Sequence, residues 1–304
     1  MGLLETLLDV VGTSAGEVAI EAPGDGPGYW AGGPSGIYSD GAYWLAYRLR
    51  RPVDLGRGYA NVVARSTDGV HFETVATVTS EQFGCASLER PALVRLPDGG
   101  WRLYVSCSTW NSKHWWVEAL DAATPDGLAE GTRTVVLPGD AATAWKDIVV
   151  TNADGQWRIW ACRHPLDGGD EEADRMTSWF GTSADGLSWS MTGAALVPTE
   201  GSWDARGTRI ADVLRLDEQW VAFYDGRASA AENWHERTGV AVGADPARLR
   251  ASAGPTPEGR TVRYLSVVEE PGSYRVYWES SRPDGAHDLR TAKVPRPASE
   301  SQSS

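Results

Sequence analysis

The sequence predicts an all-β protein folded as a five-bladed β-propeller, and three observations carry this prediction. The 304 residues include 34 glycines, 17 prolines and 15 tryptophans, a composition typical of many turns and many aromatic strands. One hairpin pattern occurs five times along the chain, and two separate markers within the repeat keep a common spacing. A repeat of roughly 60 residues suits a four-stranded blade, so five copies account for nearly the whole chain.

Each repeat contains an apolar strand, a turn rich in Asp and Gly, and a second apolar strand opened by an aromatic residue. Alternating apolar and polar residues around such a turn are typical of a β-hairpin. The five copies are residues 36–47, 92–105, 148–161, 211–224 and 265–278. The opening aromatics lie 54 to 63 residues apart and are Tyr43, Trp101, Trp157, Trp220 and Tyr274.

The second marker is an aspartate followed by Gly or Pro after a third strand. Its four copies lie 58 to 60 residues apart and are Asp68, Asp126, Asp185 and Asp245. In residues 66–72 and 183–189 the pattern predicts a turn closed by hydrogen bonds to the aspartate side chain. We assign these aspartates a structural role and no part in chemistry.

The spacing predicts a single propeller over residues 1–294. Its blades fall at about 31–80, 81–137, 138–198, 199–255 and 256–294. Too little chain follows Lys293 for a last outer strand, so a strand near residues 17–20 is expected to close the ring. Residues 295–304 are expected to form a disordered tail.

Composition and charge exclude several classes of function. A net charge of −13 opposes binding to nucleic acid and to anionic membranes. Residues 1–11 lack a basic start and are too short to span a bilayer, so neither a signal nor an anchor is expected. Cys85, Cys107 and Cys162 show no paired spacing, which favours buried free thiols and a cytoplasmic protein.

The candidate site lies where the inner strands of the blades begin. Alignment of the hairpins on their aromatics gives one equivalent position, occupied by Gly32, Arg90, Lys146, Arg209 and Arg263. Four cations close together need anions to offset their repulsion. Two sources stay open: a structural network with Glu89, Asp147, Asp212, Asp225 and Glu279, or a carboxylate or phosphate of a ligand.

Long polar loops follow the second strands, and such loops on a rigid frame often bind ligands. They add His164, His235, Trp110 and Trp234 as possible ligand contacts. The predicted substrate-binding residues are Arg90, Lys146, Arg209, Arg263, Trp30, Trp145, His164, Arg227 and Glu279. The His, Asp and Glu spacings fit no metal-ligand pattern, so no metal and no cofactor are expected.

Two short segments resemble known enzymes. Residues 30–47 resemble the first blade of family 32 glycoside hydrolases, whose pattern is W-x-N-D-P-N-G before an Asp-Gly turn and an aromatic strand. Trp145-Lys-Asp-Ile148 is similar to the R-D-P motif of those enzymes. The resemblance, which extends to family 43, implies a first-blade aspartate as nucleophile or base, a second aspartate that supports the transition state, and a glutamate as proton donor.

Only Asp147 matches that set of carboxylates. Gly33 stands at the first-blade aspartate, and the proton-donor position falls at about residues 209–210. Cleavage by two carboxylates would therefore draw on others, and the candidate catalytic residues are Asp147, Glu89 and Asp225. The sequence favours a divergent glycosidase-like protein acting on a small, anionic sugar or sugar-like substrate. A lyase, isomerase or cyclase on a repurposed propeller and a non-catalytic carbohydrate- or anion-binding protein stay open.

Overall fold

The computed structural model describes residues 3–13, 15–169, 171–216, 218–256 and 262–296. Over these residues the protein is almost entirely β-structure, which confirms the all-β prediction. The two α-helices of this part of the chain are α1 (Leu3–Thr13) and α2 (Ser80–Phe83). Short 3-10 helices occupy Val53–Leu55, Asp126–Glu130 and Ala230–Glu232.

The strands pair mostly with their neighbours in sequence and fall into consecutive strand groups. The first strand of the chain is β1 (Glu17–Ile20), and group 1 is β2 (Trp30–Ser39), β3 (Ala42–Arg50), β4 (Gly58–Ser66) and β5 (Glu73–Thr79). Group 2 is β6 (Ser87–Leu88), β7 (Ala92–Arg95), β8 (Trp101–Ser108), β9 (Trp115–Ala122) and β10 (Thr132–Leu137). Group 3 is β11 (Thr143–Ala153), β12 (Gln156–Pro165), β13 (Thr177–Ser183) and β14 (Ser190–Leu196). Group 4 is β15 (Gly207–Leu216), β16 (Gln219–Arg227), β17 (Arg237–Gly243) and β18 (Arg250–Ala253), and group 5 is β19 (Val262–Glu270), β20 (Ser273–Ser281) and β21 (His287–Pro295).

The predicted hairpins are confirmed in every group. They are the antiparallel pairs β2–β3, β7–β8, β11–β12, β15–β16 and β19–β20. The predicted aspartate turns are confirmed as well, since Asp68 Oδ1 accepts hydrogen bonds from the amides of Val70 and His71, each at 2.9 Å. Asp185 binds two amides in the same way. The Asp-Gly signals therefore mark turns that fix the strand order.

The first and last groups belong to one sheet. A parallel bridge between Trp30 and His287 joins β2 to β21. Strand β1 pairs antiparallel with β21 farther along that strand, with Glu17 opposite Thr291. The remaining groups form separate sheets with the orders β10-β9-β8-β6, β11-β12-β13-β14 and β15-β16-β17-β18, where β7 also pairs with β8. Both ends of the described chain therefore meet in group 5.

The hydrophobic core is divided into clusters, each shared by two neighbouring groups. Aromatic contacts cross these boundaries: Trp44 of group 1 contacts Trp101 of group 2, with ring centroids 4.7 Å apart. Trp160 and Trp220 meet between groups 3 and 4 at 5.8 Å. Group 5 packs against group 1 through a cluster that includes Tyr277. Large aromatic side chains fill the wedges between sheets, which explains the tryptophan-rich composition.

The N-terminal residues have a role that the sequence prediction did not assign. Leu7 and Val11 of α1 are fully buried in a cluster with Phe223 and Trp278, so the helix packs against groups 4 and 5. None of the helices in the described residues is both long and apolar enough to cross a bilayer. The predicted burial of Cys85, Cys107 and Cys162 as free thiols is confirmed. Of the predicted disordered tail, Pro295 ends β21, and residues 297–304 lie outside the described residues.

Candidate functional site

The strand register brings the candidate residues to one end of the hairpins. Near the start of the first strands, Lys146 lies opposite Cys162, Arg209 opposite Asp225 and Arg263 opposite Glu279. In group 1 the equivalent pair is Gly32 and Arg48. Because the two strands of a hairpin are antiparallel, the start of the first lies beside the end of the second. The charged residues therefore lie together at the end of the hairpins where the first strands begin, as predicted.

The equivalence predicted for Arg90 is wrong by one residue. In group 2, Arg95 pairs with Trp101, whereas in group 3 Asn152 pairs with Trp157, so the turn in group 2 holds one residue more. The amide of Glu89 binds the carbonyl of Ser106 at 2.8 Å. Glu89 thus occupies the position of the three cations Lys146, Arg209 and Arg263, and Arg90 occupies the position of Asp147.

Arg90 holds the first strands of several groups together. Bulges in these strands leave backbone carbonyls without a partner in the β-ladder. The Arg90 guanidinium donates to three of them: Pro34 at 3.0 Å, Ile148 at 2.5 Å and Ala211 at 2.8 Å. Buried carbonyls require such partners. The side chain is 2% exposed and is not part of the pocket lining described next.

A cavity of about 190 Å³ opens at this end of the hairpins, and we call it the charged pocket. Its lining contains eight cationic side chains, Arg48, Arg50, Arg57, Lys113, Lys146, Arg209, Arg227 and Arg263. Three carboxylates, Glu89, Asp174 and Glu236, complete the charged part of the lining. The pocket therefore has an excess of positive charge, although the whole chain carries −13.

The predicted site residues fall into two sets. Those that line the charged pocket are Trp30, Glu89, Lys146, His164, Arg209, Arg227 and Arg263. Buried Asp147, Asp225 and Glu279 contact lining residues from behind. Trp145 instead packs in the core, where its ring lies 5.7 Å from that of Trp179. Asp212, a candidate network carboxylate, binds the amides of Val213 and Val267 and is not part of the lining.

Glu236 is the anion at the centre of an arginine cluster and was given no role by the sequence prediction. Its Oε1 lies 3.2 Å from Arg227 Nη1 and 4.0 Å from Arg209 Nη2, and its Oε2 lies 3.2 Å from Arg263 Nε. These guanidinium groups outweigh the cost of burial and lower the pKa of Glu236 to about 2. The carboxyl group is therefore ionised at neutral pH.

Glu89 is held by arginines of group 1. Its Oε2 accepts a hydrogen bond from Arg48 Nη1 at 2.5 Å, and its Oε1 lies 3.6 Å from Arg57 Nη2. Burial raises the pKa of this carboxyl group, but Lys146 and the arginines together lower it well below its usual range. Glu89 is ionised and faces the pocket, so it can accept a proton and has none to donate.

Glu279 explains why group 1 has glycine where three other groups have a cation. A Cβ atom on Gly32 would lie 1.7 Å from Glu279 Oε2, so the carboxylate fills the space of a side chain there. Oε1 accepts a hydrogen bond from His287 Nδ1 at 2.8 Å and lies 3.5 Å from Arg263 Nη1. These neighbours lower the pKa of Glu279 below its usual range against the effect of burial.

Replacing Gly32 by alanine should therefore destabilise the protein strongly. The new methyl group must displace a buried carboxylate that is paired with Arg263, which we expect to cost about 3 kcal/mol or more in the free energy of unfolding. Chemical denaturation measures this loss. Gly127→Ala is the matched control, because its Cβ would meet neighbours at an ordinary 3.4 Å. An equal effect of the two substitutions would contradict the packing described for Gly32.

Asp147 and Asp225 hold Tyr264 and Arg209 in place. Asp225 accepts hydrogen bonds from Arg209 Nη2 at 2.9 Å and from the Tyr264 amide at 3.1 Å. Asp147 Oδ2 accepts from the Tyr264 hydroxyl at 3.4 Å and lies 3.6 Å from Arg209 Nη1. The Arg209 guanidinium also lies over the Tyr264 ring, 3.9 Å from its centroid. Both aspartates are fully buried, so in this structure they act on the pocket through Tyr264 and Arg209.

Arg50 differs from the other arginines of the pocket. Within the described residues no carboxylate lies within 4.0 Å of it, and its Nε has no hydrogen-bond partner. The guanidinium lies over the ring of Trp30, 3.9 Å from the centroid, and 5.1 Å from that of Trp234. Burial together with Arg48 lowers the pKa of Arg50 to about 9. Among the described residues it is therefore a buried cation with no carboxylate at salt-bridge distance.

His164 presents a neutral ring to the pocket. Its Nδ1 lies 2.6 Å from the carbonyl oxygen of Ala173, which requires the proton on Nδ1. Its Nε2 lies 3.6 Å from Cys162 Sγ and accepts from the thiol. Burial and the neighbouring Lys146 lower the pKa of His164 well below its usual value. Burial likewise raises the pKa of Cys162 to about 12, so the thiol stays protonated.

The arrangement suits the binding of an anion and the acceptance of a proton. Arg50 offers an unpaired guanidinium, and Glu236 Oε2 accepts no hydrogen bond from the described residues. Glu89 and Glu236 are ionised, so neither of these two carboxylates supplies a proton at neutral pH. In the part of the chain that is described, no group of three His, Cys, Asp or Glu side chains is arranged to hold a metal ion.

Comparisons with known proteins give a fold and no close relative. No family model matches the sequence, and no curated protein matches it. Among solved structures, a thermostable family-43 glycoside hydrolase superposes with a TM-score of 0.69 at 14% identity, over 91% of this chain and 92% of that chain.

Two further structures extend the same picture. A GH130 structure, from a family of mannoside phosphorylases that contains hydrolases of β-1,2 mannosidic linkages in Candida mannan, gives a TM-score of 0.64 at 14% identity, over 92% of this chain and 94% of that chain. An exo-1,5-α-L-arabinanase from a bovine ruminal metagenomic library gives a TM-score of 0.61 at 14% identity, over 88% of this chain and 94% of that chain. The chain therefore has the fold of glycoside hydrolase propellers of the family-43 type.

Proposed function

We propose that the strand groups are the five blades of one propeller, with blades at about residues 31–80, 81–137, 138–198, 199–255 and 256–294. In this arrangement β1 is the outer strand of the fifth blade. The pairing of β1 with β21, the bridge from β2 to β21 and the hydrophobic cluster between groups 5 and 1 support closure of the ring at this point. The charged pocket then opens at one mouth of the central channel.

We propose that the protein is glycosidase-like and binds a small sugar or sugar-like molecule that carries a carboxylate or phosphate. The observation that carries this proposal is that Arg50, in a pocket lined by eight cations and three carboxylates, has no carboxylate within 4.0 Å among the described residues. An ion network that served stability alone would leave no buried cation without a partner. A bidentate anion at Arg50 would supply the missing charge.

The remaining groups of the pocket suit a polyhydroxylated ligand. Glu236 Oε2 is buried and accepts no hydrogen bond from the described residues, so a sugar hydroxyl group could donate to it. Trp234 is 45% exposed and supplies open aromatic surface on the lining, which suits the apolar face of a sugar ring. The glycoside hydrolase neighbours support a sugar as the ligand at the level of the fold.

For catalysis we assign Glu89 the role of general base and Asp147 and Asp225 positioning roles. Glu89 is the predicted catalytic carboxylate that faces the pocket, and its low pKa keeps it in the ionised form that a general base requires. Asp147 and Asp225 fix Tyr264 and Arg209 from behind. Gly33 supplies no carboxylate, and its φ of 60° with Arg90 Cβ at 3.1 Å leaves a larger side chain strained there.

Glu89→Gln tests this assignment. We expect turnover of an anionic 4-nitrophenyl glycoside, such as a glucuronide, to fall by roughly 10²-fold or more, because the base is lost. Binding of the anion should hold or tighten, since a negative charge leaves the pocket. Released 4-nitrophenol gives the rate and calorimetry gives Kd. Unchanged turnover would remove Glu89 from the chemistry.

A second candidate function is a lyase, isomerase or cyclase that acts on a carboxylated metabolite. The depressed pKa values of Glu89 and Glu236 favour it, because glycoside hydrolysis needs a carboxylic acid to protonate the leaving oxygen. Incubation with carboxylated sugars, followed by mass spectrometry, separates the cases. Addition of water indicates hydrolysis. A smaller mass, or a new chromatographic peak of unchanged mass, indicates the second class, and binding with neither change indicates a non-catalytic protein.

A further inference from the structure

A second cavity adjoins the charged pocket and has a different character. It measures about 510 Å³, and we call it the apolar cavity. Loop residues before β2, after β3, before β17 and between β20 and β21 contribute to its lining. Its lining is Pro27, Gly28, Trp30, Arg50, Pro52, Val53, Trp234, His235, Ser281, Arg282, Pro283, Gly285 and His287.

The two cavities share a wall made of Trp30, Arg50 and Trp234. The Trp30 and Trp234 rings meet edge to face, with centroids 5.8 Å apart and planes at 78°. Arg50 lies against both rings and belongs to both linings. An anion bound to Arg50 would therefore lie directly beside aromatic surface that belongs to the apolar cavity.

Two of the basic side chains of the apolar cavity, Arg282 and His287, are paired with carboxylates. Arg282 donates to Asp25 at 2.8 Å and to Asp284 at 2.9 Å. His287 is bound to Glu279 and stacks on Trp30, with ring centroids 4.5 Å apart. Trp30 is 4% exposed, whereas Trp234 is 45% exposed and offers the open aromatic surface. Val53, 59% exposed, adds apolar surface on the same cavity.

We propose that the apolar cavity binds an uncharged aromatic ring of the same substrate whose anionic group binds Arg50. This inference rests on the proposed function and narrows its substrate class to molecules that join an anion to an aryl group. Exposed tryptophan and proline surface favours a flat ring over a second sugar, because the lining offers few unpaired polar groups for hydroxyls. The shared wall places the ring next to the anion.

Three probes test this inference by calorimetry and saturation-transfer NMR on the full chain. Methyl phosphate carries the anion alone, phenyl phosphate carries anion and ring, and benzyl alcohol carries the ring alone. We expect phenyl phosphate to bind roughly tenfold or more tightly than methyl phosphate. In Trp234→Ala this ratio should fall to about twofold or less, with the Kd of methyl phosphate nearly unchanged. Trp234→Phe, which keeps a ring, should retain most of the preference.

Trp110→Ala is the matched control. Trp110 is 64% exposed and lines neither the charged pocket nor the apolar cavity, so its removal should leave the ratio unchanged. Equal affinities of the wild-type protein for methyl and phenyl phosphate would overturn the inference and leave the proposed function standing. Binding of benzyl alcohol that Trp234→Ala abolishes, without binding of methyl phosphate, would support the ring site and overturn the anionic substrate. An effect of Trp110→Ala as large as that of Trp234→Ala would also overturn the inference.

Discussion

Glu236→Gln should destabilise the protein by about 3–5 kcal/mol, because it removes the charge of a buried carboxylate that lies within 4.0 Å of three arginines. The amide keeps the shape of the side chain, so the loss of stability measures the effect of removing the negative charge. For a chain of this size we expect Tm to fall by on the order of 10 °C. At the same time, small anions should bind more tightly, because the cluster of Arg209, Arg227 and Arg263 then loses the one carboxylate that all three share.

The exposed pair Glu218 and Arg215 provides the control. Its N···O distance of 3.4 Å resembles those of the buried cluster, but the Glu218 side chain is 98% exposed. Glu218→Gln should therefore change the free energy of unfolding by less than about 0.5 kcal/mol. If Glu236→Gln changed the free energy of unfolding equally little, the buried cluster would not stabilise the protein as proposed.

The same carboxylate predicts a pH dependence. The folded protein holds the pKa of Glu236 at about 2, below its unfolded value near 4.3. A depressed carboxyl pKa stabilises the fold above the unfolded pKa, and this contribution is lost as pH falls from about 4.3 towards 2. Wild-type stability should drop steeply in this window. The drop should be shallower in Glu236→Gln, and identical acid profiles would contradict the assigned pKa.

Arg50→Met should weaken the binding of D-glucuronate or glucose 6-phosphate by roughly 10- to 100-fold, the value of a charge-assisted hydrogen bond to a buried guanidinium. The empty protein should change little, within about 1 kcal/mol. Loss of the cation–π contact with Trp30 is offset by relief of a buried charge that has no carboxylate partner in the described structure. A substitution that removes binding and spares stability is the signature of a ligand site.

Arg65→Met controls for the loss of an arginine beside tryptophan. Arg65 is exposed, and its guanidinium lies 5.8 Å from the ring centroid of Trp44, outside the charged pocket. Anion affinity should not change in this variant. A large loss of stability in Arg50→Met, with unchanged anion affinity, would instead make Arg50 part of the structural network.

The fold was predictable because its signals are local and repeated. Each hairpin carries its own Asp-Gly turn and opening aromatic, so five copies confirm one another along the chain. The helix α1 was missed, although its apolar residues Leu4, Leu7, Leu8 and Val11 have helical spacing. The helical pattern is short. The helix is stable only because its apolar side chains are buried against groups 4 and 5.

The site was predictable only in part. Lys146, Arg209 and Arg263 were placed correctly because their hairpins have equal turns, whereas one extra residue before Trp101 moved Glu89 into the position expected for Arg90. Arg48 could have been found, because it follows Tyr43 by the interval that separates Glu279 from Tyr274. Glu236 carries no comparable signal, since it lies outside the repeat and reaches the arginines only through the folded loop before β17.

Thermal unfolding with a matched panel of ligands tests the central claim most directly. The panel is glucose, D-glucuronate, glucose 6-phosphate, inorganic phosphate and acetate. A ligand at about 100 times its Kd stabilises the fold by about 2.7 kcal/mol, which raises Tm by several degrees. We expect the anionic sugars to raise Tm, the inorganic anions to raise it less, and glucose to leave it unchanged. An equal rise with glucose, or no rise with any anion, would contradict an anion-binding site at Arg50.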